Sequence, residues 1–254
     1  MDALLVIAVI GLAVGVLYGL FGVGSAFATP LLALAGVPGL VAVVTPLPGL
    51  LPGSALGAWS YSRDSRVDWR IARRAILGGV PATIVGASLS HVVGGPVLLA
   101  LSGVVLLGVG IRIMTSDGRA APTTRALDRH ASSTFVVGAA GVVGFAAGLL
   151  ANGGGFLLVP LFLLALGLDM KSATGTSLVV AAAFTIPTLL THAVIGDVDW
   201  LVAGAFAVGI VPGALVGSGL SRVLPSARLR WAFGVLLVGF AAWFLLRQAT
   251  TIGL

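Results

Sequence analysis

Residues 68–90 read DWRIARRAILGGVPATIVGASLS, and residues 199–221 read DWLVAGAFAVGIVPGALVGSGLS. At an offset of 131, Asp68-Trp69 falls on Asp199-Trp200 and Pro81 on Pro212. Gly86, Leu89 and Ser90 fall on Gly217, Leu220 and Ser221. Ten of the 23 paired positions are identical, where apolar bias alone gives about two or three, so the chain is read as a duplication. Thr45 falls on Thr176, and Gly103 and Gly108 fall on Gly234 and Gly239. Upstream the offset becomes 130, pairing Gly24 with Gly154, Pro30 with Pro160 and Leu31 with Leu161.

The composition sets what is duplicated. Of 254 residues 58% are hydrophobic and 9% charged, with a mean hydropathy of +1.15. A soluble domain is about 25% charged. Stretches 3–62, 75–111, 131–168, 172–196, 200–221 and 231–246 hold no Asp, Glu, Lys or Arg. With about 20 apolar residues per crossing, they supply eight to ten membrane segments. A large soluble catalytic domain is excluded, and so is a membrane β-barrel, whose strands would alternate polar and apolar residues. The net charge of +6 lies mostly in short connections and reads as topology-setting loop charge, not as a nucleic-acid surface. There is no cysteine, hence no disulfide or thiolate chemistry. Met1-Asp2-Ala3-Leu4 has no basic n-region, so residues 3–21 read as a retained first helix.

Glycine and proline cut the long stretches into segments. In the first half these are 3–21, 25–36, 40–61, 72–92 and 96–114. In the second they are 134–151, 156–167, 173–195, 200–220 and 228–247. Segments 25–36 and 156–167 cover about half the hydrocarbon thickness at 1.5 Å per residue. The expected fold is thus an all-α polytopic membrane protein with two repeats, 1–114 and 133–254, joined by a polar linker, 115–132. Each repeat has about five segments, one of them a short broken helix.

Loop charge gives the relative orientation of the repeats. Loop 62–74 carries Arg63, Arg66, Arg70, Arg73 and Arg74, whereas its counterpart carries Asp197 and Asp199 and no base. The next connection is uncharged in the first half and has Arg222, Arg228 and Arg230 in the second. Basic loops stay inside. Loop 62–74 and linker 115–132 are therefore expected on the cytoplasmic side, both termini outside, and the repeats inverted. Arg247 is the one clear violation. Inverted repeats with broken helices point to a secondary transporter.

The stretch Gly22-Val23-Gly24-Ser25-Ala26-Phe27-Ala28-Thr29-Pro30-Leu31-Leu32 resembles the first signature of the TauE/SafE family of membrane transporters. Asn152-Gly153-Gly154-Gly155-Phe156-Leu157-Leu158-Val159-Pro160-Leu161 resembles its second, and Ser172-Ala173-Thr174-Gly175-Thr176-Ser177-Leu178 the segment that follows. Val23 and Ser25 stand where the family more usually has glycine. The resemblance spans essentially the whole chain. It implies export of sulfite or a small organosulfonate across the bacterial inner membrane.

The residues support an anion site on their own terms. Gly22, Gly24, Gly153, Gly154 and Gly155 allow close approach to backbone N–H groups, and each turn opens a short helix whose N-terminus favours anions. Ser25, Thr29, Thr45, Thr174, Thr176, Ser177 and the Asn152 amide are candidate donors. No basic residue lies mid-segment, so a small anion would be held by dipoles and hydroxyls. Pro30 and Pro160 read as kinks or unwinding points, the paired glycines at 86, 103 and 108 as packing positions. The Asp-Trp pairs read as helix starts and interfacial anchors. No segment carries a carboxylate for a proton relay. The membrane potential, worth about 2.3 kcal/mol per charge per 100 mV, would drive an anion outward.

The expected activity is secondary export of a small anion by alternating access, with the lipid bilayer as the other partner and no metal or cofactor. The alternatives are an intramembrane enzyme, for which Ser25 with His192 is the one nucleophile–base pair, and a structural or biogenesis subunit.

Overall fold

Glycine and proline set most of the helix ends. The computed structural model describes residues 2–93, 104, 107–108, 110–115, 133–150, 154–195 and 198–252. The first half contains α1 (Asp2–Phe21), α2 (Gly24–Leu34), α3 (Gly39–Val44), α4 (Leu47–Arg63) and α5 (Trp69–Val93). The second contains α6 (Ser133–Leu149), α7 (Gly155–Pro160), α8 (Met170–Ile195), α9 (Trp200–Val223) and α10 (Ser226–Ile252). A π-helical turn, Leu161–Ala165, continues α7 directly after Pro160, a place where the freed backbone ladder admits such a turn. The described residues between 104 and 115 are helical, and none of the described residues is in a strand. Among the described residues four spans are long and apolar enough to cross a bilayer: Ala3–Phe21, Val41–Arg63, Met170–Val194 and Trp200–Val223.

One expected segment is broken. Residues 40–61 read as a single helix, but the chain turns at Thr45-Pro46 between α3 and α4. Pro46 has no N–H for the helical ladder; its carbonyl instead starts α4 by accepting from Gly49 and Leu50 N–H at 3.0 and 2.9 Å. The second half has Thr176-Ser177 at the matching place, and α8 runs through it unbroken.

Packing exchanges elements between the halves. The two most extensive interfaces are α1 with α9 and α5 with α6. In the first, Gly11, Gly15 and Gly19 lie on the backbone of Phe206, Ile210 and Ala214. Gly209, Gly213 and Gly217 lie on that of Ala8, Leu12 and Val16. The two helices run parallel, and a Cβ on Gly213 would stand 2.9 Å from Gly15 Cα. In the second, Gly78 and Gly86 lie on Val137 and Phe145, and Gly144 and Gly148 on Gly79 and Thr83, again parallel. Small residues at four-residue spacing let backbones touch where lipid gives no hydrophobic drive for association. The expected packing role thus appears at Gly86 and Gly217, and at Gly234 against Met114 Cγ at 2.8 Å. Gly108 and Gly239 have no described neighbour within 4 Å of a Cβ.

The repeat-equivalent helices α4 and α8 run antiparallel: Gly57 faces Leu178 while Tyr61 faces Gly175. The Asp-Trp motifs start α5 and α9. Asp68 Oδ1 accepts from Arg70 and Ile71 N–H at 3.0 and 2.9 Å. Asp199 Oδ1 accepts from Leu201 and Val202 N–H at 3.0 and 3.1 Å. Each start is also tied to the opposite half. Asp68 N–H donates to Thr176 Oγ1 at 2.9 Å and Asp199 N–H to Thr45 Oγ1 at 3.4 Å.

Large side chains such as Phe27, Phe156, Phe162 and Phe184 are fully enclosed. Leu77, Val142 and Val208 point outward, and Val194 is 86% exposed. An apolar exterior of this kind suits lipid and would be an aggregation liability in water.

Candidate functional site

Two helix breaks that lie far apart in the chain meet in space. At the first, Gly22 adopts a left-handed conformation, φ +74, and its N–H donates to Tyr18 O at 2.8 Å. Glycine ends a helix in this way at little steric cost. Two residues later α2 begins. At the second, Gly154 has the same φ of +74 and caps α7, its carbonyl accepting from Leu157 and Leu158 N–H at 3.0 Å. Gly155 then sits directly on Gly22 O, so close that a Cβ there would overlap the carbonyl oxygen.

Helix α8 forms one wall of this crossing. A Cβ on Gly22 would lie 2.6 Å from Ser177 Oγ and 3.5 Å from Thr174 Cγ2. Ser177 donates to Thr174 O at 2.8 Å, an ordinary bond within the helix. Thr174 Oγ1 itself is buried and has no hydrogen-bond partner among the described residues. On the other side Tyr18 Cε2 lies 3.6 Å from the Gly155 Cβ position, and the Tyr18 hydroxyl is likewise buried without a partner. Ser54, which donates its own proton to Leu51 O at 2.9 Å, stands beside it. A buried hydroxyl left unsatisfied costs about 1–3 kcal/mol. Two of them thus flank the point where the breaks touch.

The expected site residues divide into four groups. Gly22, Gly155, Thr174 and Ser177 come together at the crossing, with Gly154 one residue away. Thr29 is buried on α2, and Gly24 lies against Tyr18 Cβ. Thr45 and Thr176 are buried with Oγ1 atoms that accept from Asp199 and Asp68 N–H. They hold the halves together. Asn152 and Gly153, and the side chain of Ser25, lie outside the described residues. The Gly22 N–H, a candidate ligand donor, is spent on Tyr18 O.

Tyr18 and Tyr61 were not among the expected residues, yet they are the chain's two tyrosines, and both are buried. Tyr61 OH donates to Gly19 O at 3.0 Å and reaches Leu20 O at 3.3 Å. These are carbonyls of the last turn of α1, which the break deprives of helical partners. The available signal was rarity, since a buried tyrosine needs a hydrogen-bond partner for its hydroxyl. Among the described residues no group of three or more His, Cys, Asp or Glu could hold a metal ion.

Comparison with known proteins places this architecture. Residues 7–244 match the family described as Sulfite exporter TauE/SafE. The chain belongs to this family. A probable membrane transporter protein of Xylella fastidiosa strain 9a5c is 29% identical over 245 residues, covering 94% of this chain and 92% of the relative. The probable membrane transporter protein YjnA of Bacillus subtilis strain 168 is 28% identical over 230 residues, covering 85% and 89%. YunE of the same organism is 24% identical over 245 residues, covering 86% and 87%. No solved structure matches the chain significantly. The family is one of membrane transporters, and this chain is a multi-pass membrane protein of that family.

Proposed function

We propose that the chain is a secondary exporter of a small anion, sulfite or a small organosulfonate, working by alternating access between two inverted repeats in the bacterial inner membrane. The observation that carries this reading is the meeting of Gly22 with Gly155 between the unpartnered hydroxyls of Thr174 and Tyr18. Two broken helices crossing beside unspent donors make a site for an oxyanion without a buried cation. Gly22, Gly24, Ser25, Thr29, Asn152, Gly153, Gly154, Gly155, Thr174 and Ser177 form its surroundings. Thr45 and Thr176 act one step removed, as ties between the halves.

A methyl on Gly155 would overlap Gly22 O, so nothing fits between the two breaks at this contact among the described residues. Binding therefore requires the halves to shift, as alternating access demands. The antiparallel packing of α4 on α8 supports inversion, because equivalent helices of inverted repeats point opposite ways. Grouping of contacts supports the topology. Asp64 and Arg66, in the loop assigned to the cytoplasmic side, pair with Arg222 and Asp169, while Thr45 meets Asp199 at the end assigned to the outside.

The test is flux from proteoliposomes loaded with sulfite, sulfate, thiosulfate or sulfoacetate, with and without an imposed potential. Saturable, potential-sensitive efflux of one of them is expected. Absence of flux with every anion, from protein that elutes as a folded species, refutes the reading.

A further inference from the structure

A second polar feature lies one layer away from the crossing. A cavity of about 260 Å³ is lined by Tyr61, Asp64, Arg66, Lys171, Ser221 and Arg222. Three of these side chains are cationic and one is anionic. Tyr61 closes its inner side, and the Tyr61 hydroxyl reaches Gly19 O and Leu20 O, one turn before Gly22. Tyr61 thus touches both the cavity and the last turn of α1.

Two of the three cations are held by the opposite half. Arg222 Nε meets Asp64 Oδ2 at 2.7 Å, and its Nη2 donates to Ser60 O and Oγ at 3.3 and 3.1 Å. Arg66 Nη1 is 3.8 Å from Asp169 Oδ2. Lys171 Nζ donates to Arg222 O at 3.2 Å, and among the described residues no carboxylate pairs with it. Arg66 and Lys171 therefore face the cavity with donors to spare. A water occupies about 30 Å³ of liquid volume, so the space holds a sulfite-sized anion together with several waters.

We propose that this cavity is a loading site for a small oxyanion, formed across the two halves by Arg66, Lys171 and Arg222. The inference rests on the reading of the chain as an anion carrier and adds where the anion first binds. A cleft of net positive charge concentrates anions, and guanidinium and ammonium groups supply charge-assisted hydrogen bonds to oxyanion oxygens. The occupant competes with Asp64 for Arg222 and with Asp169 for Arg66. Those two ion pairs tie the halves together at this end, so loading the cavity and loosening the tie are one event.

The experiment is equilibrium binding of radiolabelled sulfite to the purified protein in phosphatidylcholine nanodiscs at low ionic strength. Lys171→Gln and Arg66→Gln are each expected to raise Kd by about tenfold, and Lys171→Arg to restore it. Asp64→Asn is expected to tighten binding several-fold by freeing Arg222, a sign that a merely structural role for the ion pair would not produce. A Kd unchanged in both Lys171→Gln and Arg66→Gln overturns the inference, as does lack of binding by every form. Lysine-dependent retention of phosphatidylglycerol, without sulfite binding in phosphatidylcholine discs, assigns the cavity to a lipid headgroup and also overturns it. Flux separates this outcome from failure of the transport reading. Charge-dependent binding without flux leaves the cavity standing and removes transport, whereas flux with a charge-insensitive Kd removes the cavity alone.

Discussion

Replacing Thr174 with valine separates a ligand-binding hydroxyl from a structural one by sign. Further along α8 three threonines spend their protons inside the helix. Thr185 donates to Ala181 O at 2.7 Å, Thr188 to Phe184 O at 2.9 Å and Thr191 to Pro187 O at 2.9 Å. Thr174 Oγ1 makes no such bond although it is fully buried. Leaving a buried hydroxyl unsatisfied costs about 1–3 kcal/mol, and an apolar group of the same shape removes that cost. Thr174→Val is therefore expected to stabilise the empty protein by about 1 kcal/mol, a Tm rise of about 2–4 °C for a chain of this size. A hydrogen bond to a charged ligand is worth about 1.5–3 kcal/mol, so the same change is expected to weaken anion binding by about ten- to a hundredfold. The assays are thermal unfolding in detergent, followed by loss of the monodisperse elution peak, and half-saturation of flux in proteoliposomes. Thr185→Val, which loses a bond already made, serves as the control and should show no gain in Tm. A fall in Tm for Thr174→Val matching that of the control, or an unchanged half-saturation, refutes the assignment.

Three further outcomes follow from the packing. Gly155→Ala places a methyl on Gly22 O and is expected to abolish flux, whereas Gly204→Ala, with no described atom within 4 Å, should leave flux intact and gain up to about 1 kcal/mol of helix propensity; expression and transport assays compare them. Tyr61→Phe leaves Gly19 O without its 3.0 Å donor and is expected to lower stability by about 1–3 kcal/mol, read as a Tm drop. The chain has no native cysteine, so Arg73→Cys and Asp197→Cys can be labelled singly with a membrane-impermeant maleimide; inverted repeats require labelling from opposite sides, and labelling from the same side refutes inversion.

Much of the architecture was legible because membranes restrict the choices. Charge-free stretches divided at Gly22, Gly36 and Gly167 gave helix limits within a few residues, since unpaired backbone in lipid is too costly to tolerate irregularity. The breaks at 22–25 and 152–155 were readable from glycine alone. Their contact was not, because nothing local in Gly22 encodes a neighbour at Gly155. Thr45 and Thr176 looked like ligand donors because a hydroxyl in an apolar segment is conspicuous. That they also accept from the Asp68 and Asp199 N–H groups, more than a hundred residues distant, was not legible. The turn at Pro46 was legible in principle but was outweighed by the apolar run around it. The spacing of Gly11, Gly15 and Gly19, matched by Gly209, Gly213 and Gly217, carried the largest interface. It went unread because glycine is abundant throughout the chain, with 37 residues.

The two ends of the molecule are equivalent by repeat but not by energy. The Thr176–Asp68 bond is 2.9 Å and its counterpart Thr45–Asp199 is 3.4 Å. The end with the shorter bond also holds the Asp64–Arg222 and Arg66–Asp169 pairs. Among the described residues no ion pair joins the halves at the other end, where Asp199 spends its carboxylate on the start of α9. Half-exposed ion pairs contribute about 0–1 kcal/mol each, so this end is held by a few kcal/mol at most. A bias of that size is what a switching protein needs. Reversing a 1:99 population takes about 5.5 kcal/mol of differential binding, which an oxyanion can supply by replacing Asp64 and Asp169 as acceptors and then meeting Thr174 and Tyr18. In the proposed exporter, the arginines of loop 62–74 would thus both orient the chain in the membrane and set which end opens on loading.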